Sequence, residues 1–386
     1  MPDQNSAPVH DTSPDHAEEG IALCLSGGGY RAMVFHAGCL WRLNEAGLLG
    51  KLNRISSVSG GSITSGILGM NWGSLQVAPG AESAKFKDIV VAAIRKVAST
   101  TIDEGAIFGG IFLPGSISDH VAGKYDDVAF HGKTLQDLPA ESTGAQPAPR
   151  FVFNATNVQS GVLMRFSRPY MSDYKVGKID NPTLPLAKVV AASSAFPPVL
   201  SPCEIDVSKY KLQFVPAGGE TLHFAPYTTK LVLSDGGVYD NLGLETAWKR
   251  YKTLLVSDGG ALLQPEPEPH DDWARHAYRV LDIIDSQVRA LRTRQLIGAY
   301  QTKERTGAYW GIATEFSKFA NRSQLPCTAA RTAGLAAVDT RLKAMDDSLQ
   351  ERLINWGYAV CDASLRTWYD FTLPQPRGFP YPATGV

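Results

Sequence analysis

The chain has 386 residues, 44% of them apolar, with 37 Lys+Arg against 38 Asp+Glu. That length buries a sizeable core in one large domain or two ordinary ones, and a balanced charge without a dense basic stripe argues against a nucleic-acid partner. No apolar run approaches the roughly 18 residues of a membrane span, so a membrane would be met only at its surface.

Residues 1–19 are polar and acidic and lack the basic start and apolar stretch of a secretory signal, so they read as a disordered tail. The default location is then the cytoplasm, with signal-independent export left open. Cys24, Cys39, Cys203, Cys327 and Cys361 are odd in number and widely spaced, with no C-x-x-C pair. A zinc site or disulfide framework is not expected, nor is any cofactor. Cys24 and Cys39 read as buried free thiols.

From Ile21 the run Ile-Ala-Leu-Cys-Leu-Ser suits a buried parallel strand, and Gly27-Gly28-Gly29 leads into a helix over 30–46. Met33, Ala37, Leu40 and Leu43 recur there at core-facing spacing. The unit repeats, with a strand over 55–58, a tight turn at Ser59-Gly60-Gly61 and a helix over 62–70, which argues for an α/β sheet. An irregular stretch over 103–115 follows, then a Pro/Gly/Ser-rich loop over 141–149, a strand over 150–154 and a helix over 186–192 stopped by Pro197 and Pro198. Two strands, 230–234 and 252–257, flank a helical segment over 244–250 and each ends in Asp-Gly-Gly. They read as a βαβ unit with parallel strands. A long helix over 272–297 carries Leu281, Ile284, Val288 and Leu291 as a core-facing stripe. A last helix spans about 338–368. Motif-bearing strands on both sides of the loops favour one domain over 20–375, with 376–386 as a tail.

Ser57-Val58-Ser59-Gly60-Gly61 has the form of a nucleophile elbow, in which a sharp strand-to-helix turn lifts a serine out of the sheet. Ser57 stands where the usual pattern has glycine, and a capping serine is the competing reading. The run Gly27-Gly28-Gly29 lets backbone amides approach a developing oxyanion, and neither a P-loop nor a G-x-G-x-x-G pattern is formed there. Asp235 and Asp258 both end strands before two glycines. Either could serve the serine or simply make a turn, and spacing does not choose between them.

Ser26-Gly27-Gly28-Gly29-Tyr30-Arg31-Ala32, Ser57-Val58-Ser59-Gly60-Gly61-Ser62 and Asp235-Gly236-Gly237-Val238-Tyr239-Asp240-Asn241-Leu242-Gly243 together resemble the three motif blocks of the patatin-like phospholipases, the first nearest the cytosolic phospholipase A2 branch. Ala192-Ser193-Ser194-Ala195-Phe196-Pro197 resembles a fourth segment. The resemblance implies a three-layer α/β fold with a mostly parallel central sheet flanked by helices. It also implies hydrolysis of lipid acyl esters by a Ser59–Asp235 dyad, with Gly27, Gly28 and Gly29 as the oxyanion hole and Asp258 as a structural turn. Arg31 could attract a lipid phosphate, although a structural pairing with a carboxylate is the preferred reading. A neutral-lipid lipase, a general carboxylesterase, a lipid-binding protein without turnover and, more distantly, a nucleotide binder are the alternatives. An α/β-hydrolase triad would need a histidine after Asp235, where only His270 and His276 stand, and both read as surface residues. Peripheral membrane contact is expected.

Overall fold

β-branched and leucine-rich runs build a mixed ten-stranded sheet in the computed structural model, which describes residues 17–102, 116–213, 221–319 and 325–386. The stretch 103–115 and residues 1–16 of the expected tail lie outside the described residues. The strands are β1 (Glu18–Leu25), β2 (Arg54–Ser57), β3 (Arg150–Asn157), β4 (Val162–Phe166), β5 (Tyr170–Asp173), β6 (Gly177–Asp180), β7 (Cys203–Asp206), β8 (Lys230–Asp235), β9 (Tyr251–Asp258) and β10 (Thr306–Gly311). The principal helices are α1 (Gly29–Glu45), α2 (Gly60–Leu75), α3 (Ala92–Ala98), α4 (Ile117–Tyr125), α5 (Leu186–Ser193), α6 (Trp273–Gln301), α7 (Ala329–Ala336) and α8 (Asp347–Ser364).

Strands β10, β9, β1, β2 and β3 run parallel in that spatial order, and β4, β5 and β6 extend the sheet antiparallel. β1 shows why both faces must be covered. Leu23 and Leu25 enter the large core under α1 and α2, while Ala22 and Cys24 enter a smaller core with Leu254, Val256 and Leu296 on the other face. Alternation sends successive side chains to opposite faces, so an all-apolar strand requires a layer on each side.

Four expectations change. β8 is not the first strand of a βαβ unit with β9: it pairs antiparallel with β3 and β7, while β9 lies between β1 and β10. Antiparallel partners on both sides claim its edges, so the connection to β9 passes across the sheet. Second, Leu281, Ile284 and Leu291 of α6 do not face the core but are each more than half exposed. Third, the last helix starts at Asp347, where the Asp346 side chain accepts from the Leu349 amide (2.9 Å) and caps it. Residues 337–346 form a segment outside α7 and α8 instead. Fourth, Glu18 and the C-terminal residues, read as parts of tails, are held by the fold. β1 begins at Glu18, whose amide donates to the Arg250 carbonyl (2.7 Å), and in the C-terminal segment the Tyr381 amide donates to Asn355 Oδ1 (2.9 Å) while Val386 is buried.

α1 and α8 touch backbone to backbone. A methyl group at Gly38 would stand 1.9 Å from the Ile354 carbonyl oxygen, and one at Gly357 would stand 2.0 Å from that of Phe35. Gly38→Ala is therefore expected to destabilise the fold by about 2–3 kcal/mol through forced helix separation. Gly73→Ala, in α2 with open space around it, should stabilise by about 0.5–1 kcal/mol. Urea denaturation midpoints of the two variants check both signs.

Candidate active site

Ser59 follows β2 and precedes α2, and its backbone is forced to φ 51°, ψ −120°, a conformation that costs a non-glycine residue free energy. Several contacts hold it there. Its amide donates both to the Ser193 carbonyl (3.1 Å) and to Ser193 Oγ (3.1 Å), and the Ser193 hydroxyl donates to the Asn154 carbonyl (2.6 Å). Glycine is obligatory on the helix side, because a methyl group at Gly60 would stand 2.2 Å from the Gly29 carbonyl oxygen and one at Gly61 2.4 Å from that of Leu25. The two glycine turns are thus packed directly against each other.

Asp235 arrives at this edge from the opposite direction. Ser57 is level with Phe153 on β3, and Asp235 is level with Ala155, so the antiparallel β8 delivers its last residue just beyond the end of β2. The Asp235 amide donates to the Ala195 carbonyl (2.9 Å), and the Gly236 amide donates to the same Ser193 carbonyl that holds Ser59 (3.2 Å). Ser193 therefore ties the two motif ends together.

The two Asp-Gly-Gly turns, indistinguishable by pattern, differ in their partners. In each, Oδ1 accepts the amide two residues on, from Gly237 (2.7 Å) and from Gly260 (2.9 Å). Asp258 Oδ2 also accepts the Tyr309 hydroxyl (2.8 Å), and Oδ1 lies 3.7 Å from the Arg289 guanidinium. Asp235 Oδ2 is buried without a hydrogen-bond partner among the described residues. Burial pushes the Asp235 carboxyl up to about 7, opposed by the Gly237 amide and by the neighbouring Ser59 hydroxyl, and raised further by the charge of Asp285.

A pocket of about 560 Å³ takes in both Ser59 and Asp235, and its lining includes Gly28, Gly29, Arg31, Phe196, Val199 and Leu262. Its size suits a small organic chain. The Gly27 amide is engaged, donating to the Asn241 carbonyl (3.1 Å). The Gly28, Gly29 and Gly60 amides stand at the N-termini of α1 and α2 with no acceptor among the described residues, where helix dipoles favour negative charge.

A profile of the patatin-like phospholipases matches residues 23–248, more than half of the chain. The chain belongs to the patatin-like phospholipases. Among solved structures, human GIVD cytosolic phospholipase A2 is similar in fold at 12% identity with a TM-score of 0.51, covering 89% of this chain and 61% of that one. This chain thus spans about three fifths of the human enzyme's length. VipD from Legionella pneumophila aligns at 16% identity over 90% of this chain and 66% of that one, with a TM-score of 0.32. No curated protein sequence matches the chain.

For this patatin-like chain the structure brings Ser59, Asp235, Gly28, Gly29 and Arg31 to one pocket, and turns the Gly27 amide away to Asn241. Arg31 is buried. Its Nε donates to the Gly259 carbonyl (3.1 Å), Nη1 donates to the Val338 carbonyl and Nη2 has no partner, so backbone oxygens hold it rather than the expected carboxylate. Burial, and then the charge of Arg289, lower the guanidinium to about 10, which leaves it cationic at neutral pH. His270 and His276 are exposed and no histidine lines the pocket among the described residues.

Three contributors escaped the sequence. Ser193 lies in the fourth segment, but nothing there shows that it ties two strand ends. The 337–346 segment, expected to be helical, closes over the glycine loop, where the Tyr30 amide donates to the Arg341 carbonyl (3.0 Å). His36, fully buried on α1, has its Nε2 3.0 Å from the Ser26 carbonyl and its Nδ1 2.8 Å from Ser257 Oγ. A carbonyl only accepts, so Nε2 donates to Ser26; Ser257 Oγ, beside Nδ1, also accepts from Trp310 Nε1 (3.0 Å) and donates to Cys39 Sγ (3.4 Å). The imidazole braces the strand end from which the glycine loop springs. A lone histidine within the apolar run from Met33 to Leu40 was the available signal.

The Asp235 shift fixes a pH dependence of stability. Below about pH 4 the carboxyl is protonated folded and unfolded; as pH rises towards about 7 the unfolded chain loses that proton while the folded chain keeps it, so stability falls. Asp235→Asn, which cannot ionise, should be more stable than the parent at about pH 8, by a few kcal/mol, on the order of 4 at most, and equal to it near pH 4. Chemical denaturation of both proteins across this range checks the convergence.

Proposed function

We propose that the protein hydrolyses fatty-acyl esters of lipids in the manner of a phospholipase A or lysophospholipase, with Ser59 as nucleophile and Asp235 as its base. The observation that carries this reading is the open Oδ2 of a buried Asp235 beside an elbow serine. A carboxyl lifted to about 7 is matched to accepting a proton near neutrality, unlike one at its ordinary value.

In this reading Asp235 takes the hydroxyl proton as Ser59 Oγ attacks the ester carbonyl. The oxyanion forms against the unpartnered amides of Gly28 and Gly29, with Gly60 beside them, and each well-placed donor lowers the barrier by about 3–4 kcal/mol. Gly27 contributes the shape of the loop, since any side chain there would strike Asn241 Oδ1 at 2.3 Å. The protonated Asp235 then gives its proton to the departing alcohol; in the second half it takes a proton from the attacking water and returns it to Ser59 Oγ as the acyl–Oγ bond breaks and the acid leaves. No imidazole takes part. Phe196, Val199, Leu200 and Leu262 supply apolar walls for an acyl chain, and the unpartnered Nη2 of Arg31 supplies attraction for a phosphate of the substrate.

Ser59→Ala and Asp235→Asn should each lower kcat by about 10³-fold or more, whereas Asp258→Asn, His270→Ala and His276→Ala should keep most of it. Retained turnover in a folded Ser59→Ala protein removes the proposal, and a comparable loss in either histidine variant replaces the dyad by a triad. Product analysis by mass spectrometry on mixed phospholipids and triacylglycerols identifies the ester class. With a soluble ester, kcat/KM should rise about tenfold per pH unit and level off near 7 as Asp235 ionises. A flat profile from pH 5 to pH 8, about two pK units below that value and one above, would remove Asp235 as base.

A further inference from the structure

α6 reverses the usual arrangement of an amphipathic helix. Asp282, Asp285 and Arg289 line the pocket over Ser59, while Trp273, Val280, Leu281, Ile284 and Leu291 are exposed, Trp273 at 85%. At 3.6 residues per turn these five, with Ala277 and Val288, cover one arc of roughly 100°. Apolar side chains gathered on one face, rather than scattered singly, mark a surface that something covers.

The arc continues into the proposed active site. Past Leu281 it reaches Tyr278, whose ring meets Phe196 edge to face with centroids 6.5 Å apart, and Phe196, Val199 and Leu262 are exposed on the rim of the pocket. No Asp or Glu stands among the seven residues of the arc itself; Arg292 and Asp285 flank it on the side of Tyr278. The loop ahead of α6 carries Glu266, Glu268, Asp271 and Asp272, and α6 carries Arg275, Arg279, Arg289, Arg292 and Arg294 against Asp282 and Asp285, so charges of both signs nearly balance around the face and select neither a strongly anionic nor a strongly cationic partner.

We propose that this face of α6 seats the protein on a zwitterionic lipid surface, with the pocket rim opening onto it. The inference rests on the lipid-ester reading above and names the surface from which that site draws its substrate. Apolar insertion supplies the attraction, with Trp273 at the interface as amphipathic aromatics prefer. A second copy of the chain fits less well. The four-three seam available to a second helix, Leu281, Ile284, Val288 and Leu291, leaves Val280 and the pocket-rim residues Phe196, Val199 and Leu262 uncovered, whereas a lipid surface covers all of them.

The test uses the full chain and phosphatidylcholine vesicles. Flotation is measured in a Ser59→Ala background, with and without Ile284→Asp and Leu291→Asp together; both positions are exposed and outside the pocket lining. The pair is expected to weaken vesicle partitioning by about tenfold or more. In the active protein it should lower hydrolysis of vesicle-held phosphatidylcholine in parallel, with kcat/KM on a soluble short-chain ester unchanged. Unchanged flotation overturns the proposal, as does an equal loss on the soluble ester. A dimer in light scattering that the two substitutions dissolve makes a second copy the occupant and overturns it too. If no ester is turned over at all, the hydrolase reading fails while flotation still decides the docking face.

Discussion

β3 runs past the end of β2, from Asn154 to Asn157, and this overhang is where β8 pairs in the antiparallel sense. The site follows from that register. Parallel strands alone would bring Asp235 to the edge only at the end of a neighbouring crossover unit. A strand coming the other way reaches the same level because its pairing with β3 is confined to the overhang. A one-residue slip would send the Asp235 side chain to the opposite face, so the pairing needs a lock. The Ser193 carbonyl supplies it by accepting amides from both Ser59 and Gly236.

Two unfavourable features are concentrated at that lock. Ser59 holds a left-handed backbone conformation, and Asp235 is buried with one oxygen unsatisfied. A strained serine and an under-solvated carboxylate each cost stability, and each is kept only where the surroundings over-determine it. Asp258 is the internal control: the same tripeptide at the end of a parallel strand has its carboxylate occupied by Tyr309, Gly260 and Arg289. The contrast lies in solvation and partner supply, not in local sequence. Around the pair, the two glycine turns are packed backbone to backbone and braced through Ser26 by His36.

α6 separates amphipathicity from burial. Its polar residues are drawn inward because the pocket is polar along that wall, and its apolar residues are left outside. Spacing of three and four establishes that a helix has two faces and says nothing about which face the rest of the chain takes. The same ambiguity explains the 337–346 segment, whose composition allows a helix until the Asp346 cap starts α8 later and the segment is drawn over the glycine loop.

What the sequence determined by itself is local. The strand–glycine–helix units at Gly27–Gly29 and Ser59–Gly61, the elbow serine and the motif blocks that place the chain among the patatin-like phospholipases are all legible, because steric demands of tight turns act within a few residues. What only the tertiary structure decided depends on pairing between distant segments: the antiparallel course of β8, the partner that each aspartate finds, the capture of the Gly27 amide by Asn241 and the outward apolar face of α6. Those outcomes are set by which edges, carbonyls and cavities are already occupied, a condition that exists only once the whole chain has packed.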